Sequence, residues 1–364
     1  MKFFVCGGSC GSLDKHQVEL KNLTISRFLN DHGKQKSKSI DIIMYVLIQR
    51  RLLLFLSGIL CNQPKLCSNA TWNTSAITFA TSVLVGSNPF GIFVNTNNTI
   101  YGANRESGII RVWQEGSGVP IRNISGNLSL PYSLFVSDDD DIYVDNGQNN
   151  YRIDKWPSNS NIVVAAMYTC GVCFGVHIDI ENNLYCSMSN RHQVASKSLN
   201  TRLNVWNVVA GTGVAGSTSL TLNNPRGVAV HTNLDLFVAD YDNHRIQRFR
   251  FQELNGTTVA GAAAPGTISL YGPTSVILDA DGYVFISDTW NHRIIGSGPG
   301  GFRCIVSCLG AGSSSSAIYF PGFISFDSYG NLYVMDYGNH RLQKFLLSGN
   351  SCGKILKTIK QIFN

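Results

Sequence analysis

The chain has 364 residues, with 29 Lys and Arg against 23 Asp and Glu and a formal charge of +6. The basic excess lies outside the central region: residues 77–350 carry 16 basic against 19 acidic side chains, residues 1–76 carry 10 against 4, and Lys354, Lys357 and Lys360 follow. Nucleic-acid binding draws most of its affinity from basic side chains on phosphates, so this distribution disfavours that class.

In chain order, residues 1–43 read as a disordered extension or a mis-assigned start, with Met44 as the true one. The apolar stretch that follows is broken by Gln49-Arg50-Arg51, which leaves nine residues from Leu52 to Leu60. A spanning helix needs about 20 apolar residues, and two arginines at membrane depth are costly. Residues 44–61 therefore read as a signal peptide, with a membrane anchor over 42–60 as the alternative and residues 62–76 as a linker. Ten cysteines suit a secreted chain better than a cytosolic one. Glycosylation acceptors occur at Asn69, Asn73, Asn97, Asn123, Asn127 and Asn255.

From residue 77 the pattern changes to short β-rich runs between Gly, Asn and Asp turns. "RGVAVHTNLDLFVADYDNHRIQRF", "TSVILDADGYVFISDTWNHRIIGS" and "GFISFDSYGNLYVMDYGNHRLQKF" share one frame, and three weaker copies precede them. Six second strands, anchored at Ile100, Ile142, Leu184, Leu236, Val284 and Leu332, recur at steps of 42, 42, 52, 48 and 48 residues. These strands are apolar at consecutive positions, which predicts burial on both faces. A period of this size with four strands per unit predicts an all-β, six-bladed β-propeller over residues 77–348. The sixth unit lacks a fourth strand after Phe345. Residues 81–86 ("TSVLVG") resemble the fourth strand "TTVAG" at 257–261, so this N-terminal strand is expected to complete the last blade and close the ring. Residues 349–364 form a basic tail.

Units four to six end in Asn243-His244-Arg245, Asn291-His292-Arg293 and Asn339-His340-Arg341. The chain thereby resembles the NHL-repeat family of β-propellers over about three quarters of its length. A triplet repeated three times suits a structural corner rather than one catalytic site. Asp240, Asp288 and Asp336 each stand five residues before the arginine, a spacing that lets the pair close a hairpin through a charge-assisted hydrogen bond. Asn at the turn tolerates left-handed backbone geometry.

The resemblance also implies an enzymatic alternative, because some NHL propellers are zinc-dependent peptidyl-hydroxyglycine lyases with histidines at the channel mouth. The matching positions here are Phe90, Tyr132, Phe174, Arg226, Thr274 and Gly322, none of them histidine. No metal ligands, catalytic residues or cofactor are nominated. A further branch carries zinc modules ahead of an RNA- or protein-binding propeller, but residues 1–76 hold no paired zinc spacing.

Among the remaining features, one of Cys170 and Cys173 is expected to pair with Cys186. Cys304 and Cys308 can join only where their strand bends. The acidic run at 138–141 reads as a solvated turn between first and second strands rather than a calcium site, and residues 311–317 as a flexible loop. Phe90, Tyr132, Phe174 and Arg226 are expected to converge at one channel end, in keeping with a binding surface. The reading is a secreted, monomeric, non-enzymatic propeller whose partner is a protein, peptide or glycan.

Overall fold

The structure, a computed structural model, describes residues 3–7, 9–12, 62–67, 69–126, 128–160, 162–261, 264 and 267–350. The leader, the Met44 start and most of the basic tail lie outside the described residues. Six antiparallel four-stranded sheets are present among them. Blade one comprises Pro89–Val94, Ile100–Asn104, Ile109–Trp113 and Arg122–Ser125. Blade two comprises Leu134–Val136, Ile142–Asp145, Arg152–Trp156 and Val164–Tyr168. Blade three comprises Cys173–Ile178, Asn183–Met188, Gln193–Ser198 and Trp206–Gly211, and a hairpin of Phe3–Gly7 and Ser9–Ser12 adds to its outer edge. Blade four comprises Pro225–Val230, Leu236–Asp240, Arg245–Phe249 and Thr257–Gly261. Blade five comprises Pro273–Leu278, Val284–Asp288, Arg293–Gly298 and Gly301–Val306. Blade six comprises Pro321–Phe326, Leu332–Asp336 and Arg341–Phe345, with Ile77–Ala80 from the other end of the propeller as its outermost strand.

The first strands neighbour one another in chain order, and Pro321–Phe326 returns to lie beside Pro89–Val94, so the blades form a closed ring. The second strands are almost wholly buried, because each packs against the neighbouring blades on both faces. That is the physical source of their unbroken apolar runs. At the axis the first strands approach so closely that a Cβ at Gly91 would stand 2.7 Å from the Tyr132 carbonyl oxygen, and one at Gly227 would stand 2.7 Å from that of Thr274. Only glycine fits such an approach without displacing backbone.

The ring closes as the sequence implies, but with a different strand. Ala80 pairs with Leu342 and Thr78 with Gln343, just as Ala260 pairs with Ile246 and Thr258 with Gln247 in blade four. Residues 81–86, expected to be the closing strand, instead hold one helical turn, Ser82–Val85, ended by Gly86 at φ 83°. The Asn104 amide holds that turn by donating to the Val85 carbonyl at 2.8 Å. The error has a simple cause. Gly261 precedes Pro273, the first residue of the next blade, by twelve residues, whereas the equivalent Thr81 precedes Pro89, the first residue of blade one, by eight. Matching the shorter loop by residue type placed the strand four residues too late.

Residues 62–76 also depart from expectation. They form a packed strap rather than a linker, because Leu66, Ala70 and Trp72 are buried. Trp72 stacks on Phe326 at 6.2 Å, and its indole donates to the Gly330 carbonyl at 2.9 Å. Thr71–Trp72 pairs with Leu347–Gly349. Two disulfides are described in full. Cys173–Cys186 joins the first and second strands of blade three. Cys304–Cys308 forms because the chain turns at Ser307 (φ 56°), which brings the Cα atoms to 5.7 Å. Cys67 and Cys170 are disulfide-bonded as well.

Candidate functional site

The repeated triplet builds the corners. Each motif aspartate ends a second strand, and a 3₁₀ turn follows: Tyr241–Asn243, Thr289–Asn291 or Tyr337–Asn339. The asparagine amide donates to that aspartate at 2.8–2.9 Å, so it sits in the right-handed turn. The left-handed residue is the histidine, with φ of 55°, 53° and 51° at His244, His292 and His340. The left-handed place falls to the residue after the asparagine, and it is held by Gly108, Tyr151 and His192 in the degraded units. Arg245, Arg293 and Arg341 pair with Asp240, Asp288 and Asp336 at 2.7, 2.8 and 2.7 Å. Arg341 also donates to the carbonyls of Ser313, Ser314 and Ala317, so the serine-rich 311–317 segment is a pinned loop.

The histidines latch one blade to the next. Nδ1 of His192, His244 and His292 each accepts a backbone N–H from the following blade's entry loop, at Asn224, Gly272 and Phe320, all at 3.1 Å. An accepting Nδ1 places the ring proton on Nε2. Burial lowers the His292 pKa, against a smaller raising effect of Asp288. These side chains are occupied by structure.

Phe90, Tyr132, Phe174 and Arg226, from four blades, converge at one mouth of the channel and line a cavity of about 380 Å³. Each stands at the second position of its blade's entry, after Pro89, Pro131, Cys173 or Pro225. Phe90 and Phe174 are buried and, with Phe323, form an aromatic floor with centroid separations of 5.4–6.3 Å. Tyr132 and Arg226 are half-buried above it. Tyr132 stacks on Phe174 at 4.2 Å. The Arg226 guanidinium lies 4.6 Å from the Phe174 centroid and 3.2 Å from that of Tyr241. Burial lowers the Arg226 pKa, while Tyr241, Asp242 and Tyr132 act in the opposite direction.

A second tier also lines the mouth. Arg105 lies 4.0 Å from the Tyr132 centroid and donates to its hydroxyl at 2.8 Å, while Tyr241, Thr289, Trp290, Phe320 and Tyr337 complete the wall. Sequence reading missed this tier although its signal was available. Arg105, Tyr241, Thr289 and Tyr337 each follow directly on the last residue of a second strand, so the alignment that found the first tier also contains them.

The opposite end of the channel is covered. Asn62 and Gln63 lie over the far ends of the first strands, and the Asn62 amide donates to the Asn95 carbonyl at 2.6 Å. The acidic run lies in the first turn of blade two, where Asp138, Asp139 and Asp140 are exposed and Asp141 pairs with Lys155 at 2.5 Å. Among the described residues no group of three or more His, Cys, Asp or Glu is placed to hold a metal ion, and no helix is long and apolar enough to cross a membrane.

No curated protein sequence matches the chain. Among solved structures, a structural-genomics protein of unknown function from Bacteroides thetaiotaomicron superposes with a TM-score of 0.62 at 13% identity, over 75% of this chain and 76% of that one. An auxiliary nutrient binding protein from the same organism gives 0.57 at 15% identity, over 72% and 70%. Virginiamycin B lyase from Staphylococcus aureus gives 0.51 at 12% identity, over 72% and 95%. At these identities the likeness concerns the fold. The NHL repeat family profile matches residues 222–249 and 319–345, which cover the corner and the first three strands of blade four and of blade six. The repeat and the closed ring of six sheets together make this chain an NHL-repeat, six-bladed β-propeller.

Proposed function

We propose that the chain is a non-enzymatic, extracellular binding propeller that takes a protein, peptide or glycan partner at the mouth formed by Phe90, Tyr132, Phe174 and Arg226. The observation that carries this reading is the convergence of those four side chains, from four blades, on one cavity. Aromatic and arginine side chains are the types that dominate binding energy in such places. The likeness in fold to a protein described as nutrient binding lends support. Disulfides and the exposure of Asn69, Asn73, Asn97, Asn123 and Asn255 are in keeping with an extracellular setting. The histidine-free first-strand positions give a lyase reading no ligands at the mouth.

The test is affinity capture from extracellular fluid with the propeller and with a Tyr132→Ala/Arg226→Ala variant of unchanged fold. A partner held by the parent and released by the variant is the expected result. Equal capture by both would overturn the site, and stoichiometric zinc in the purified protein would overturn the non-enzymatic assignment.

A further inference from the structure

The mouth presents an unusual combination of groups. Arg105, Tyr132, Phe174, Arg226 and Tyr241 form a continuous ladder of cation, ring, ring, cation and ring, with separations of 4.0, 4.2, 4.6 and 3.2 Å. In the ladder a guanidinium lies over each of Tyr132, Phe174 and Tyr241, and Tyr132 and Phe174 also stack on each other. Cationic head groups are drawn to open ring faces, and the two guanidiniums already lying over Tyr132, Phe174 and Tyr241 disfavour a further cation there.

The charges point the same way. No Asp or Glu lines this cavity; Asp242 lines the adjoining one with Arg226 and acts on its charge, but among the described residues neither Arg105 nor Arg226 makes an ion pair with a carboxylate. Arg226 donates one terminal nitrogen to the Thr274 hydroxyl at 3.3 Å, while the Nε atoms of both arginines are buried without a hydrogen bond. Two under-coordinated guanidiniums in a half-buried cavity are costly to the fold. The carboxyl of Asp145 feels the Arg105 charge without forming an ion pair with it. It is buried, accepts from the Tyr132 and Ser133 backbone, and desolvation pushes its pKa up to about 8.

We propose that the mouth is an anion site, taking a small organic oxyanion whose charged group pairs with the guanidinium forks of Arg226 and Arg105 and whose apolar body rests on Phe90 and Phe174. The inference rests on the binding reading above and narrows it to a ligand class. A guanidinium matches carboxylate and phosphate oxygens with two parallel N–H donors. The volume of about 380 Å³ falls in the range of small-molecule sites rather than of flat protein interfaces, and it accommodates a free organic acid or the acidic end of a peptide.

The experiment uses matched probes on the full chain: phenylacetate, phenyl phosphate and the neutral isostere phenylacetamide, titrated by ligand-observed NMR to about 10 mM. At least one anion should bind about tenfold or more tightly than the amide, and the tighter of the two identifies the carboxylate or the phosphate ester as the natural group. Arg226→Gln, and independently Arg105→Gln, should collapse that preference to below about threefold while melting temperature is retained. Absence of a preference in the parent chain, no saturable binding of any probe, or a preference that survives both Gln variants in folded protein would each overturn the anion site. If partner capture still depends on Tyr132 while the probes show no preference for the anion, the binding mouth stands and only its ligand class is wrong.

Discussion

Arg245 shows how a surface corner becomes a structural centre. Its side chain bonds Asp240 and also the carbonyls of Ser217, Thr218 and Thr221 at 2.8–3.0 Å, so one guanidinium fixes both the hairpin and the loop leading into the blade. Replacing it with leucine strands the Asp240 carboxylate, which burial already pushes upward in pKa. Arg245→Leu should cost about 3–5 kcal/mol in urea unfolding. The penalty should lessen from Arg245 to Arg341 to Arg293, whose side chains are 7%, 14% and 22% exposed. Two other buried groups set the pH range. Burial lowers His177 to about 4. The fold favours its neutral form, so its contribution is complete above the ordinary 6.5 and is lost as pH falls toward and through 4. Between pH 7 and pH 4 that loss is about 3 kcal/mol, and His177→Gln should remove it from the pH dependence of unfolding. Asp145 behaves oppositely. Raised from 3.8 to about 8, it contributes fully below 3.8 and loses that contribution as pH rises through 8. Asp145→Asn should therefore flatten an alkaline limb worth about 4 kcal/mol between roughly pH 5 and pH 9.

At the scale of elements, the disulfide Cys173–Cys186 spans 13 residues and ties the innermost strand of blade three to the next. Cys186→Ala should lower stability by about 3 kcal/mol, read as a fall in melting temperature. Cys308→Ala should cost less, since its partner is only 4 residues away and the loop-closure entropy is smaller. Elements differ in how plainly the sequence announces them, and the reason is burial. Second strands are enclosed on both faces and open with an apolar run, so Leu236–Asp240 and its five counterparts could be located within a residue. The outermost strands are half-exposed, as in Arg122–Ser125 and Ile77–Ala80, and solvent imposes little pattern on them. The loops beyond them differ in length. Together these caused the four-residue slip at the closing strand. The first tier of the mouth was readable because Pro89-Phe90-Gly91 and Pro225-Arg226-Gly227 share one local frame. The ladder of Arg105, Tyr132, Phe174, Arg226 and Tyr241 was not readable, because it depends on which way side chains from different blades lean.

For the whole molecule, the ring depends on a strand and a strap that come from the same stretch of chain but do different jobs. Ile77–Ala80 covers the edge of Arg341–Phe345, and an uncovered edge of that kind is a template for pairing with other chains. The strap at 62–76 buries Leu66, Ala70 and Trp72 against blades five and six and covers the far end of the channel. Two truncations separate the roles. A chain beginning at residue 77 keeps the closing strand and loses the strap. It should remain a cooperative monomer, less stable by about 3–5 kcal/mol from the Trp72 site alone, with probe binding at the mouth intact because that mouth lies at the other end of the channel. A chain beginning at residue 81 loses both. It should lose its cooperative thermal transition and elute from size exclusion as aggregate, since blade six then has three strands and a free edge. Were the two truncations to melt and elute alike, closure by Ile77–Ala80 would contribute nothing to the ring, and the six sheets would be held by inter-blade packing and the histidine latches alone.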